Sequence, residues 1–201
     1  AQVCSLIALD ASGREISSGT GFIYDDKRNI VTNRHVVAGG HAAVVECGDK
    51  RARIVGYIAE LEGLDLLILR ADSDLGEPLI ANAEGYQFSE IGEEIFVIGN
   101  PLGLGKSIVS GIVSGIRRDP EDNVEYVRIS APINPGNSGG PVFNANGYVI
   151  GVATAKIRES EGIGLALSIG QVRQLVRGTV RPITKIKSER KIVDRENEDI
   201  S

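Results

Sequence analysis

At 201 residues, 42% of them hydrophobic and 24% charged, the chain is long enough to bury its own core and too apolar for a disordered segment. Twenty-two basic residues against 27 acidic ones leave a net charge of -5, which speaks against backbone recognition of DNA or RNA, because that binding needs concentrated positive charge. Two His, two Cys, no Met and no Trp leave few ways to assemble metal or thiol chemistry, while 25 Gly call for many tight turns.

The predicted elements are short apolar runs broken by turn residues. Residues 3–9 read as a strand ending in Asp10-Ala11-Ser12-Gly13, with its return over 18–24. A second turn at 25–29 leads into 30–32, and that hairpin delivers His35 to a strand end. Strands over 42–47, 52–59 and 64–69 complete a first set of six, with no room for a helix of ordinary length between them. An irregular stretch over 72–90 suits a linker. Strands over 94–99, 107–117, 125–130, 140–144, 148–156 and 163–167 form a second set of six. Ser168 is placed to cap a helix over 169–177 that buries Ile169, Val172, Leu175 and Val176, and Gly178 is placed to stop it.

The reading is all-β: one barrel over about residues 1–71, a second over 91–167, a short helix, and from 183 to 201 a charged tail or truncated linker. No apolar run reaches the 18 residues of a spanning helix, and no basic start followed by an apolar stretch marks a targeting signal. The compartment stays open. Cys4 and Cys47 stand 43 residues apart and match neither a C-x-x-C pair nor a zinc-knuckle spacing, which favours two unbonded thiols over a bridge.

The strongest nucleophile candidate is Ser138 in Gly136-Asn137-Ser138-Gly139-Gly140. Flanking glycines let the backbone turn sharply and aim N–H groups at a developing oxyanion. The same residues satisfy the G-x-S-x-G elbow of α/β-hydrolases, but that fold needs a histidine after the serine, and both His35 and His41 precede it. The remaining triad order is His, Asp, Ser, which points to His35, Asp65 and Ser138; His41 reads as a loop residue and the fallback base. Gly103-Leu104-Gly105-Lys106-Ser107 resembles the end of a phosphate-binding loop but lacks the first glycine and runs into a strand. A zinc site from Cys4, His35, His41 and Cys47 lacks the short paired spacings of closed sites, so neither metal nor cofactor is expected.

Several motifs together carry a family resemblance: Thr32-Asn33-Arg34-His35-Val36-Val37, Asp65-Leu66-Leu67-Ile68-Leu69, Gly99-Asn100-Pro101-Leu102-Gly103, Ser110-Gly111-Ile112-Val113-Ser114, and 133–141 around Ser138. They resemble the trypsin-like serine proteases of the HtrA (Deg) family over about residues 3–176. The resemblance implies a double barrel of the chymotrypsin type with its active site between the lobes. It implies a serine endopeptidase acting on unfolded or extended polypeptides, in a periplasmic or other extracytoplasmic setting and a quality-control role. His35 would be the general base, Asp65 its orienting carboxylate, Ser138 the nucleophile, and the N–H groups of Gly136 and Ser138 the oxyanion hole.

By the same resemblance Ile133, Asn137, Thr154, Ala155 and Lys156 would meet the substrate, with small or medium aliphatic P1 side chains favoured. Arg34 departs from the small residue usual before the histidine, and Lys156 from the apolar residue usual at its position. No PDZ domain fits into residues 183–201, so one is missing or lies outside this chain, and no aromatic residue precedes Phe22 to build the family's trimer contacts. Monomer and homotrimer are both compatible. The competing reading is a noncatalytic peptide-binding or scaffold protein on the same fold.

Overall fold

Twelve antiparallel strands among the described residues of the computed structural model close into two six-stranded barrels. The structure describes residues 2–61, 63–80, 90–99, 105–119, 124–134, 136–154, 163–175 and 177–187. Strands β1 (Val3–Leu9), β2 (Glu15–Ile23), β3 (Asn29–Thr32), β4 (Ala42–Cys47), β5 (Lys50–Glu60) and β6 (Leu67–Ala71) form the first barrel in the order β1-β2-β3-β6-β5-β4. Strands β7 (Glu94–Gly99), β8 (Ser107–Asp119), β9 (Val124–Ile129), β10 (Pro141–Asn144), β11 (Val149–Thr154) and β12 (Gly164–Ser168) form the second, in the order β10-β11-β12-β9-β8-β7. This is the expected all-β double barrel.

Alternation does the local work. In β4 the inward positions Ala43, Val45 and Cys47 are buried while Ala42, Val44 and Glu46 are more open, as the two-residue period of a strand requires. Leu6, Ile23, Ile30, Val45, Leu67 and Leu69 fill the first barrel. Ile95, Val97, Val113, Val127, Ile129 and Val142 fill the second. A third apolar cluster lies between the barrels, where Phe22, Leu64, Leu66 and Ile68 meet Phe143, Val152, Leu167 and Val172. That layer welds the lobes into one body, with the polar Asp65 between its Leu64 and Leu66.

Helix α1 (Ile169–Gln174) begins as expected, with the Ser168 hydroxyl accepting from the Gly170 amide at 3.0 Å, but it is shorter than the 169–177 expected. Leu175 has ψ 114, because the chain there leaves the helix and crosses to the first barrel. The expected helix-face position Val176 lies outside the described residues, as do 81–89 of the linker.

The tail expected from residue 183 needs correction at its start. Ile183 and Ile186 are 4% and 1% exposed and sit in the core of the first barrel. Residues 178–187 form a strap: Gly178 N donates to Ile58 O, Tyr57 and Arg181 exchange both backbone bonds at 2.8 Å, and Gly39 N donates to Ile186 O. Gly56 makes room for it, since a Cβ there would overlap the Arg181 carbonyl. Two isoleucines in a charged stretch were the visible apolar signal; the charge around them hid it.

The expectation for the cysteines is also overturned. Cys4 and Cys47 form a disulfide between β1 and β4, two strands paired in register at Ser5 and Glu46. Their spacing in sequence says nothing of this, because closure of the barrel is what makes the strands neighbours. Replacing both cysteines by Ser should lower stability by roughly 2–4 kcal/mol, the usual range for a bridge across a loop of this length. Urea midpoints of the oxidised protein and the double variant measure it, and equal midpoints would show the bridge to be energetically idle.

Candidate active site

His35 sits in the short 3-10 turn Arg34–Val36 that follows β3. Its side chain is 43% exposed, whereas that of Asp65 is 5% exposed. Asp65 stands in the loop before β6, two residues earlier than the strand begins, with its neighbours Leu64 and Leu66 buried in the layer between the barrels. Those two leucines fix the loop and turn the carboxylate toward the turn at 33–36.

The contacts there are dense. Asp65 Oδ2 lies 2.5 Å from His35 Nδ1, and Oδ1 accepts from the His35 backbone N–H at 2.8 Å. The Asp65 carbonyl accepts from Asn33 Nδ2 at 2.8 Å and from Arg34 N at 3.3 Å. One aspartate thus holds three successive residues. A carboxylate facing Nδ1 places the ring proton there and leaves Nε2 with a lone pair, on the edge of the ring away from Asp65.

Ser138 comes from the second barrel, in the turn before β10. It is 4% exposed, and its hydroxyl donates to Asn33 Oδ1 at 3.0 Å. The turn crosses onto β2 of the first barrel: Thr20 N donates to Ser138 O at 3.0 Å and Thr20 Oγ1 donates to Gly136 O at 2.5 Å. Gly139 N donates to Ala153 O and Ala153 N to Gly140 O, which tie the turn back to β11. Gly136 and Gly139 have φ 103 and 82, backbone that side chains other than glycine rarely adopt. Ser138 thus reaches the seam from the second barrel and bonds Asn33, two residues before His35, while Asp65 holds His35 from the first.

The expected substrate-contacting residues fare differently. Ile133 is half-buried beside Gly164 of β12, whose position leaves space only for hydrogen where a Cβ would press on Ile133. Asn137 has its side chain turned inward: it is 5% exposed, its amide lies against Gly99 at the end of β7 with Ser107 Oγ 3.4 Å from its Oδ1, and it braces the turn from inside. Thr154 is likewise turned inward, 2% exposed with Oγ1 3.5 Å from Asp65 Oδ2. Ala155 and Lys156 lie outside the described residues. His41 is exposed on the approach to β4, and its N–H donates to Leu9 O; it is His35 that meets the carboxylate.

The departure at Arg34 has a structural account. Its side chain, 18% exposed, turns toward Glu60 on β5 at 3.6 Å, and Arg181 of the strap reaches the other oxygen of the same carboxylate at 3.6 Å. Arg181 also lies over the Tyr57 ring, 4.5 Å from its centre. Burial first, and the Glu60 carboxylate next, hold the Tyr57 phenol above its ordinary range. Arg34 thus shares the Glu60 carboxylate with Arg181 of the strap. The sulfurs of Cys4 and Cys47 are spent on each other, which removes two of the four ligands a zinc site would need.

Thr20 and Asn33 are the residues that reading the sequence missed. Thr20 carried a signal, since glycine on both sides of it in a strand marks a close approach of another backbone. Asn33 stood in the motif before the histidine, but nothing local marked its role, because its partners lie 32 and 105 residues away.

A profile of the trypsin-like peptidase domain matches residues 19–152. The chain is 34% identical over 168 residues to the putative serine protease HhoA of Synechocystis, covering 81% of this chain and 43% of that protein. It is 35% identical over 192 residues to the chloroplastic Protease Do-like 1 of Arabidopsis thaliana, covering 85% and 42%. A probable periplasmic DegP-like serine endoprotease of Rhizobium meliloti is 34% identical over 161 residues, covering 78% and 31%. The chain thus spans less than half the length of these relatives. Among solved structures, the active form of the Rv3671c protease of M. tuberculosis superposes with TM-score 0.76 at 25% identity, covering 90% of this chain and 84% of that one. The serine endoprotease of Yersinia pestis gives 0.71 at 27%, covering 86% and 60%. The matched profile, the relatives and the paired barrels agree: the chain belongs to the trypsin-like peptidase family, among the HtrA/Deg-type serine proteases.

Proposed function

We propose that this chain is a serine endopeptidase that cleaves peptide bonds of unfolded or extended polypeptides through an acyl-enzyme. The observation that carries the reading is the Asp65–His35 pair at 2.5 Å on one barrel with Ser138 brought to the same turn from the other. In this mechanism Ser138 Oγ attacks the scissile carbonyl while its proton passes to His35 Nε2, and Asp65 steadies the imidazolium. The N–H groups of Gly136 and Ser138 hold the oxyanion. On collapse, the C–N bond breaks and His35 returns the proton to the leaving amine; water then repeats the sequence on the ester.

A half-buried Ile133 supports small or medium aliphatic P1 side chains. An extracytoplasmic site of action fits the Cys4–Cys47 bridge, which persists in oxidising compartments, and the periplasmic and chloroplastic names of the relatives. Substitution Ser138→Ala should abolish cleavage of an unfolded protein such as reduced, alkylated casein, a fall of about a million-fold in kcat if the triad acts as a unit. It should also abolish labelling by a serine-directed fluorophosphonate. Equal cleavage by parent and variant would sink the reading.

A further inference from the structure

Asn33 is buried, with 0% of its surface exposed, and contacts the nucleophile directly. Its orientation is set by its own chemistry. The Asp65 carbonyl, 2.8 Å from one end of the amide, can only accept, so the nitrogen must face it and the oxygen must face Ser138. An amide oxygen cannot donate, so in this 3.0 Å contact the proton lies on Ser138 Oγ and points at Asn33. A serine hydroxyl has one proton. While it is given to Asn33 it is not given to His35 Nε2, the acceptor that attack requires.

We infer that Asn33 is a positioning residue that holds Ser138 in a resting state, competing with His35 for the serine proton. The inference rests on the reading of Ser138 as the nucleophile. Asp65 couples the two acceptors, since its carboxylate orients His35 and its carbonyl orients Asn33. Both acceptors are therefore oriented by one residue. Each turnover must break the Asn33 bond before the hydroxyl can be deprotonated.

The test uses the whole chain and a small fluorophosphonate, measuring kinact and KI separately and locating the adduct by peptide mass. Asn33→Ala removes the competing acceptor, and Asp65 O keeps the Arg34 N–H as donor. It should raise kinact roughly three- to tenfold, the span that one neutral hydrogen bond corresponds to, with KI unchanged. Asn33→Asp supplies a charged acceptor, whose bond is roughly twice as strong, while giving up the amide's bond to the Asp65 carbonyl, and should lower kinact about tenfold or more with KI unchanged. A residue that merely supported the turn would give losses in both variants and a weaker KI. A kinact at or below the parent's in Asn33→Ala overturns the inference. If that variant does not fold, Asn33→Asp decides: a lower kinact with unchanged KI supports the inference, and a kinact at or above the parent's, or a loss accompanied by a weaker KI, overturns it. A parent protein that takes no label at Ser138 defeats the nucleophile reading and this inference together, whereas normal Ser138 labelling with unresponsive Asn33 variants defeats only the latter.

Discussion

The variant Asp65→Asn is expected to fold normally and to lose about 10,000-fold in kcat, the size of effect that a wrong histidine tautomer produces in a triad. The geometry dictates which way the new amide turns. Oδ1 of residue 65 accepts from the His35 backbone N–H at 2.8 Å, so the oxygen of the asparagine stays there. Its NH2 then faces His35 Nδ1 where Oδ2 now stands, at 2.5 Å. Two donors cannot share that contact, so Nδ1 must become the acceptor and the ring proton moves to Nε2. An Nε2–H cannot take the Ser138 proton. Nothing in the packing changes, because Leu64 and Leu66 still hold the loop. Circular dichroism and thermal melting would report the intact fold, and steady-state cleavage of a casein substrate the loss. Activity within tenfold of the parent would remove Asp65 from the mechanism.

The second large effect is expected at Gly139, where one methyl group should cost both stability and activity. With φ 82, this residue occupies left-handed backbone that an alanine adopts at a cost of roughly 1–2 kcal/mol. A Cβ there would also overlap Thr20 O and Thr32 Oγ1 and stand 3.0 Å from Asn33 N, so two of the three atoms it meets are main chain that cannot swing aside. The collision falls at the seam between the barrels. We expect Gly139→Ala to lose roughly 3 kcal/mol or more, a fall in Tm of about 6–12 °C for a domain this size. The turn carrying Ser138 would be pushed from β2, and a displacement near 1 Å there should lower kcat/KM roughly 100-fold. A melting temperature within 2 °C of the parent's would show that the seam accommodates the methyl.

How far these residues were legible in the sequence depended on where their partners stand along the chain. His35, Asp65 and Ser138 could be nominated from chain order, because only two histidines exist and both precede the serine. The inward turn of Asn137 and Thr154 could not, since a strand or loop residue shows its chemistry in sequence but not its facing. Asn33 and Arg34 adjoin the histidine and yet act through Ser138, Asp65 and Glu60, none of them nearby in sequence. The strap at 178–187 was masked by charge, and its isoleucines became core only because the chain returns to pack them against the first barrel.

By itself the sequence determined the strands, their grouping into two sets of six, the capped start of α1 and the residue types available for chemistry. Those follow from alternation, turn residues and caps, which act over a few neighbours. Only the tertiary structure decided that Cys4 pairs with Cys47, that Ile183 is core, and that the Ser138 hydroxyl rests on Asn33. Each of these joins groups 43 or more residues apart, or buries a side chain under a distant segment. Such contacts depend on how the barrels close and dock, and local periodicity carries no record of that.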